Sequence, residues 1–248
     1  MTIRWVTAFL DFPATAFGPG CAFWQAVTAS ALSPPRGASA QFATLLPQHG
    51  DAFLRVQRID HGNPGCHVDL HAERVEDTAE RAVNLGAAVV HEQLGFVVMT
   101  SPGGLSVCIV RHRGETDRPP PHLWPGGHRS LVDQLCIDIP SSVFADEGAF
   151  WTGLTGWERH PGSRPEFVYL VRPTEMPLRL LLQRLDDDRA DRTRAHLDLA
   201  CDDVDAERRR HEALGATIGR AMPKWTTLQD PTGRDYCITC RRPDTGVL

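Results

Sequence analysis

Two short segments carry the side chains with the clearest capacity for chemistry. In His67-Val68-Asp69-Leu70-His71 polar residues alternate with apolar ones, the period of a strand, so His67, Asp69 and His71 share one face. His196-Leu197-Asp198 repeats the arrangement. A carboxylate beside an imidazole can orient the ring for general base work, or it can accept hydrogen bonds that keep neighbouring strands in register. Cys108 and Cys237 add thiols, which with imidazole would suit zinc, or which serve as small buried apolar side chains. Phe96 and Trp225 can stack on a flat ligand or pack at a rim. Cys237-Ile238-Thr239-Cys240 has redox spacing, but residues three apart on a strand point to opposite faces, so the two thiols are not expected to meet. Lys224 is read as a surface residue, and Arg208, Arg209 and Arg210 as a solvated helix face.

The elements that must position these residues come in duplicate. Cys66 to Arg111 aligns with Ala195 to Cys240 at a constant shift of 129 without a gap, matching His67/His196, Asp69/Asp198, Arg81/Arg210, Gly86/Gly215 and Cys108/Cys237. Upstream, Ala22-Phe23-Trp24 matches Ala149-Phe150-Trp151 at 127, and Gln57/Gln183 match at 126. The shift changes only where loops would absorb an insertion. Within each copy the His-x-Asp strand precedes a helical stretch (Val75, Ala79, Ala82, Val83, Leu85) closed by Gly86. Strands are expected at Ala88 to His91, Phe96 to Thr100 and Leu105 to Val110, with Ser101-Pro102-Gly103-Gly104 as a turn. The first module of each half places its Phe-Trp pair on a helix. Arg113 to His128, rich in Pro and Gly, reads as an extended linker rather than a helix or strand. The expected domains are 1–112 and 129–248, joined by linker 113–128.

With His67 to Leu70, His196 to Ala206, Leu-Gly-Ala at 85–87 and 214–216, and the turns at 101–104 and 230–233, the chain resembles the vicinal oxygen chelate superfamily. That superfamily includes glyoxalase I, bleomycin and fosfomycin resistance proteins and extradiol dioxygenases, and the nearest variety is the glyoxalase-like domain. The resemblance implies an α+β fold of four β-α-β-β-β modules, paired into two cupped mixed-sheet half-barrels that hold a small molecule. It implies metal-ligand positions at His67 and His196, at Cys108 and Cys237 in place of Glu, near Gln57 and Gln183 in place of Glu, and near Val6 and Gln134. No matched ligand position keeps a carboxylate, whereas Mg²⁺ or Mn²⁺ needs them.

Charge is balanced, 26 basic against 31 acidic residues for a net −5, without the basic footprint of a nucleic-acid binder. No apolar run approaches the roughly 20 residues that span a bilayer, so no membrane partner is expected. Seven cysteines, an odd count, with no export signal point to reduced thiols and the cytoplasm. The expectation is therefore a protein that binds a small organic molecule without a metal or other cofactor, as a resistance or binding protein or a metal-free enzyme, and as a monomer or homodimer. The pocket candidates are His67, Asp69, His71, Gln57, Phe96, Cys108, Gln134, Gln183, His196, Asp198, Trp225 and Cys237. The alternative is a metal-dependent lyase or dioxygenase using Zn, Fe, Ni or Mn in the second cup.

Overall fold

The structure, a computed structural model, describes residues 3–61, 64–186 and 191–248. The first half runs β1 (Ile3–Pro13), α1 (Ala14–Thr28), β2 (Ala31–Leu32), β3 (Phe42–Leu46), β4 (Leu54–Ile59), β5 (Gly65–Ala72), α2 (Val75–Asn84), β6 (Ala88–Gln93), β7 (Phe96–Thr100) and β8 (Ser106–Arg111). After β9 (His122–Leu123), the second half repeats the order: β10 (Arg129–Pro140), α3 (Phe144–Thr155), β11 (Glu158–Pro161), β12 (Phe167–Val171), β13 (Arg179–Leu185), β14 (Arg194–Cys201), α4 (Val204–Ala213), β15 (Thr217–Met222), β16 (Trp225–Gln229) and β17 (Asp235–Thr239).

Among the described residues the strands form two mixed, open-edged sheets, ordered β2-β3-β4-β1-β5-β8-β7-β6 and β11-β12-β13-β10-β14-β17-β16-β15. This is the α+β arrangement of four β-α-β-β-β modules. The last strand of the second module returns to lie parallel to its first strand, β8 beside β5 and β17 beside β14. Such a crossover needs a helix between the strands, and α2 and α4 supply it. Gly86 and Gly215 follow these helices at φ of 98° and 97°, a left-handed conformation that a side chain would strain.

Two compact units divide the chain differently from its two halves. Unit 1 comprises Met1–Phe9, Cys66–Thr116 and Leu135–Ala195. Trp151 on α3 is fully buried there, and its indole N–H donates to Glu147 Oε2 at 2.6 Å. Ser101 Oγ and the Gly103 amide, from the turn before β8, donate to Glu147 Oε1. Unit 2 comprises Leu10–Gly65, Asp117–Gln134 and His196–Leu248. There the buried Trp24 of α1 donates to Asp230 Oδ2 at 3.0 Å, so the carboxylate comes from the turn and not from the helix.

Two expectations are corrected. The linker contains a strand: β9 pairs antiparallel with β10, His122 opposite Ser130 and Leu123 opposite Arg129, across a turn closed by Gly127 at φ 86°. Proline at 119–121 removes backbone donors only before that strand, so pairing resumes at His122. Arg210 is not on a solvated face. It binds both Glu207 carboxylate oxygens (2.8 and 2.7 Å), donates to the carbonyls of Ala26 and Val27 (3.1 Å each) and lies 3.4 Å over the Trp124 ring. Glu207 and His211, both fully buried on α4, give this face its reason to turn inward.

Candidate functional site

In unit 1 strand register assembles the first group. Asp69 stands opposite Cys108 on the parallel pair, and on the antiparallel pair Val98 stands opposite Cys108 and Phe96 opposite Val110. Alternation therefore gives one sheet face to His67, Asp69, His71, Cys108 and Phe96. The ligand atoms of His67, Asp69 and Cys108 all lie within 4.8 Å of one another. Phe9 stacks on the His67 imidazole, with centroids 4.4 Å apart and planes at 12°. His71, at the far end of β5, belongs to a different group with Thr7, His112 and Glu115.

In unit 2 the same register recurs. Asp198 is opposite Cys237, Thr227 opposite Cys237, and Trp225 opposite Thr239, so Trp225 shares the face of Asp198 and Cys237. His196 Nε2 is 3.3 Å from Asp198 Oδ1 and 3.7 Å from Cys237 Sγ. Gln134 donates from its amide to Asp198 Oδ2. Arg241 Nη1 lies 4.0 Å from that same oxygen, while Nη2 and Nε of Arg241 bind the Asp133 carboxylate. Burial pushes the Asp198 carboxyl up, but the hydrogen bond and charge of His196, together with Arg241 and Gln134, outweigh it and hold the carboxyl below its ordinary range. Asp198 is therefore an anion at neutral pH whose charge the protein already offsets. A carboxylate against Nε2 holds the His196 ring and offsets its charge when the ring is protonated.

The glutamines divide. Gln134 joins the His196 group. Gln183, on β13 opposite Phe167, accepts from the Cys136 thiol at 3.5 Å within unit 1, and Gln57 sits on β4 opposite Phe42 within unit 2. The ligand position expected near Val6 is out of phase: Val6 is fully buried, whereas Thr7 and Phe9 reach His71 and His67. Sequence reasoning missed Thr7, Phe9, Cys136, His112, Arg241, Asp133 and Glu115. The shift of 127 pairs Phe9 with Cys136 and Thr7 with Gln134, and one further step at 129 pairs His112 with Arg241, so part of that signal was present.

The remaining polar interior of unit 2 is a support. Glu207 accepts from His128 (2.8 Å), Ser130 (2.6 Å), Arg210 and His211 (3.1 Å), and His211 Nδ1 lies 2.9 Å from the Tyr236 hydroxyl. Burial pushes Glu207 up, yet these donors and cations hold it far below the usual carboxylate range. A cavity of about 280 Å³ in the same unit is lined by Val27, Phe53, Pro120, Leu123 and Leu199 among others, and none of the pocket candidates lines it. Cys240 is exposed and Cys237 buried, so the C-x-x-C pair is divided as its strand spacing requires. No helix of the described residues is long and apolar enough to cross a membrane.

A family model described as glyoxalase-like domain matches residues 7–110 and 134–239. Solved structures with similar folds include a triple mutant of 4-hydroxymandelate synthase from Streptomyces coelicolor (14% identity, TM-score 0.63, covering 100% of this chain and 93% of that one). The Mn(II)-bound glyoxalase from Novosphingobium aromaticivorans aligns at 17% identity and TM-score 0.63, covering 96% and 81%. A halotolerant catechol dioxygenase aligns at 14% and 0.59, covering 96% and 87%. No curated protein sequence matches the chain.

Proposed function

The chain belongs to the glyoxalase-like domain family, of vicinal oxygen chelate type, and from that premise we propose that it binds a small, flat, polar organic molecule against the His196, Asp198 and Trp225 face without a divalent ion. The observation that carries this reading is the state of Asp198. Its carboxylate takes the Gln134 amide and stands 3.3 Å from His196 Nε2 and 4.0 Å from the Arg241 guanidinium. A divalent ion of the kind such folds hold would have to enter beside a fixed cation and displace donors from a charge already compensated. The residues of this second site therefore do not fit that ion. They fit a ligand with a hydrogen-bonding group for the His196 imidazole and a ring for Trp225, and that imidazole can give or take a proton.

A competing reading has one observation in its favour: in unit 1 the ligand atoms of His67, Asp69 and Cys108 lie within 4.8 Å of one another, a nitrogen, oxygen and sulfur set suited to zinc. The six buried cysteine thiols support a reducing compartment such as the cytoplasm. Each sheet already pairs two modules within one chain, which supports a monomer.

Elemental analysis of chain purified without chelator, alongside His196→Ala and His67→Ala, tests the proposal. The expected result is no ion whose presence depends on His196. A stoichiometric divalent ion lost in His196→Ala overturns it, and one lost in His67→Ala establishes the competing reading.

A further inference from the structure

The group at the far end of β5 is distinct from the His67, Asp69 and Cys108 group. Two residues of extended strand, roughly 7 Å, separate His71 from Asp69, and four, roughly 13 Å, separate it from His67. The His71 and His112 rings meet at 69° with centroids 6.5 Å apart, and Glu115 lies against both. His71 Nδ1 is 3.5 Å from Glu115 Oε1, and His112 Nδ1 is 3.3 Å from Glu115 Oε2. Neighbouring backbone builds this placement: the His112 amide donates to the Ala72 carbonyl at 2.9 Å, extending the β5/β8 ladder, and the Arg113 amide donates to Glu115 Oε2 at 3.0 Å. His71 is 1% exposed.

From this geometry we propose that His71, His112 and Glu115 form a zinc-type divalent cation site, with the two Nδ1 atoms and the carboxylate as ligands and the remaining position left to water. The two nitrogen–oxygen separations exceed the 2.7–3.2 Å of a good N–H···O bond. They match instead the roughly 3.3 Å between two ligand atoms that each stand about 2.0–2.1 Å from a tetrahedral ion. His71 Nε2 lies 2.9 Å from Thr7 Oγ1, and the tautomer protonated at Nε2 donates to that hydroxyl, which fixes the ring and presents Nδ1 as the ligand atom. Two imidazoles and one carboxylate suit zinc and carry too little oxygen for magnesium or calcium.

The duplicated half supplies an independent argument. At a shift of 129 the three ligands are replaced together by Ala200, Arg241 and Asp244, and at 127 Thr7 is replaced by Gln134. Where His112 stands in the first half, the second half carries a guanidinium bound to Asp133. One copy thus holds a built-in cation at this place, and the other holds ligands for an exogenous one.

Zn²⁺ alone is the probe, titrated into chelator-stripped full-length chain in competition with a chromogenic chelator. The wild type is expected to take up one equivalent that His112→Ala and Glu115→Gln lose and that His196→Ala and His67→Ala retain. Thr7→Val, which keeps all three ligands, is expected to weaken uptake about 10- to 100-fold. Zn²⁺ uptake that follows His67 or His196, or no uptake by the wild type, overturns the proposal. Should either ligand variant fail to fold, Co²⁺ absorption of the wild type decides: tetrahedral d–d bands without a thiolate charge-transfer band support the site, and a thiolate band or octahedral spectrum overturns it.

Discussion

Both halves of the chain set a His-x-Asp strand in parallel register against a strand carrying a cysteine, Asp69 opposite Cys108 and Asp198 opposite Cys237. They differ at the strand end beside that floor. The second half places Arg241 there, buried, paired with Asp133 and 4.0 Å from Asp198, while the first half has His112 at the matched position, with Glu115 beside it and His71. A guanidinium is a permanent, buried charge, whereas an imidazole and a carboxylate are ligands and titrating groups. The backbone register is thus the same in both halves, and the groups at its end differ: Arg241 with Asp133 in one, His112 with Glu115 in the other.

The comparison breaks most sharply at that pair. Arg241→Ala leaves the buried Asp133 carboxylate without its guanidinium and is expected to cost about 3–5 kcal/mol in denaturant unfolding. His112→Ala, at the matched position and more exposed, is expected to cost about 1 kcal/mol or less. Equal losses would mean that the two floors are held in the same way.

Acid stability sharpens the contrast by a smaller amount. Burial holds the His211 pKa below its ordinary value, so the unfolded chain binds the proton first and stability falls as pH drops through about 6.5. Glu207, facing His128, Ser130, Arg210 and His211, is held far below the usual range. Its contribution is present above the unfolded carboxylate value near 4.3 and is lost as pH falls below it. The matched residues of unit 1, Thr78 and Ala82, do not titrate. Thermal midpoints against pH should therefore flatten below about pH 4.3 in Glu207→Gln and keep the wild-type slope in Thr78→Ala. An unchanged slope in Glu207→Gln would place the acid sensitivity elsewhere.

Much of the fold was legible because duplication is a pattern in the sequence itself. The shifts of 129 and 127 located α2, α4, the Phe-Trp helices and the turn glycines, and strand alternation put His67, Asp69 and His71 on one face, along which His71 falls into a different group from the other two. Less visible was whatever depends on contact across long separations. Arg210 reads as one of three solvated arginines until Glu207 and the Ala26 and Val27 carbonyls are seen to claim it. Glu115 lies in a stretch whose proline content signals only a linker, and nothing in its neighbours announces that the end of β5 will bring His71 to it. The phase of β1 was missed by one residue because Val6 and Thr7 lie in an almost continuously buried strand that has no alternation to read.

The His196–Asp198 floor is proposed to receive an organic ligand without a divalent ion. A thermal-shift screen of small polar aromatic and carbonyl compounds, run in excess chelator on the full chain, tests it most directly. Compounds are expected that raise the midpoint of the wild type in chelator and lose that effect in His196→Ala and Asp198→Asn. Compounds that bind only after a divalent ion is restored, or that bind both variants as well as the wild type, would contradict it.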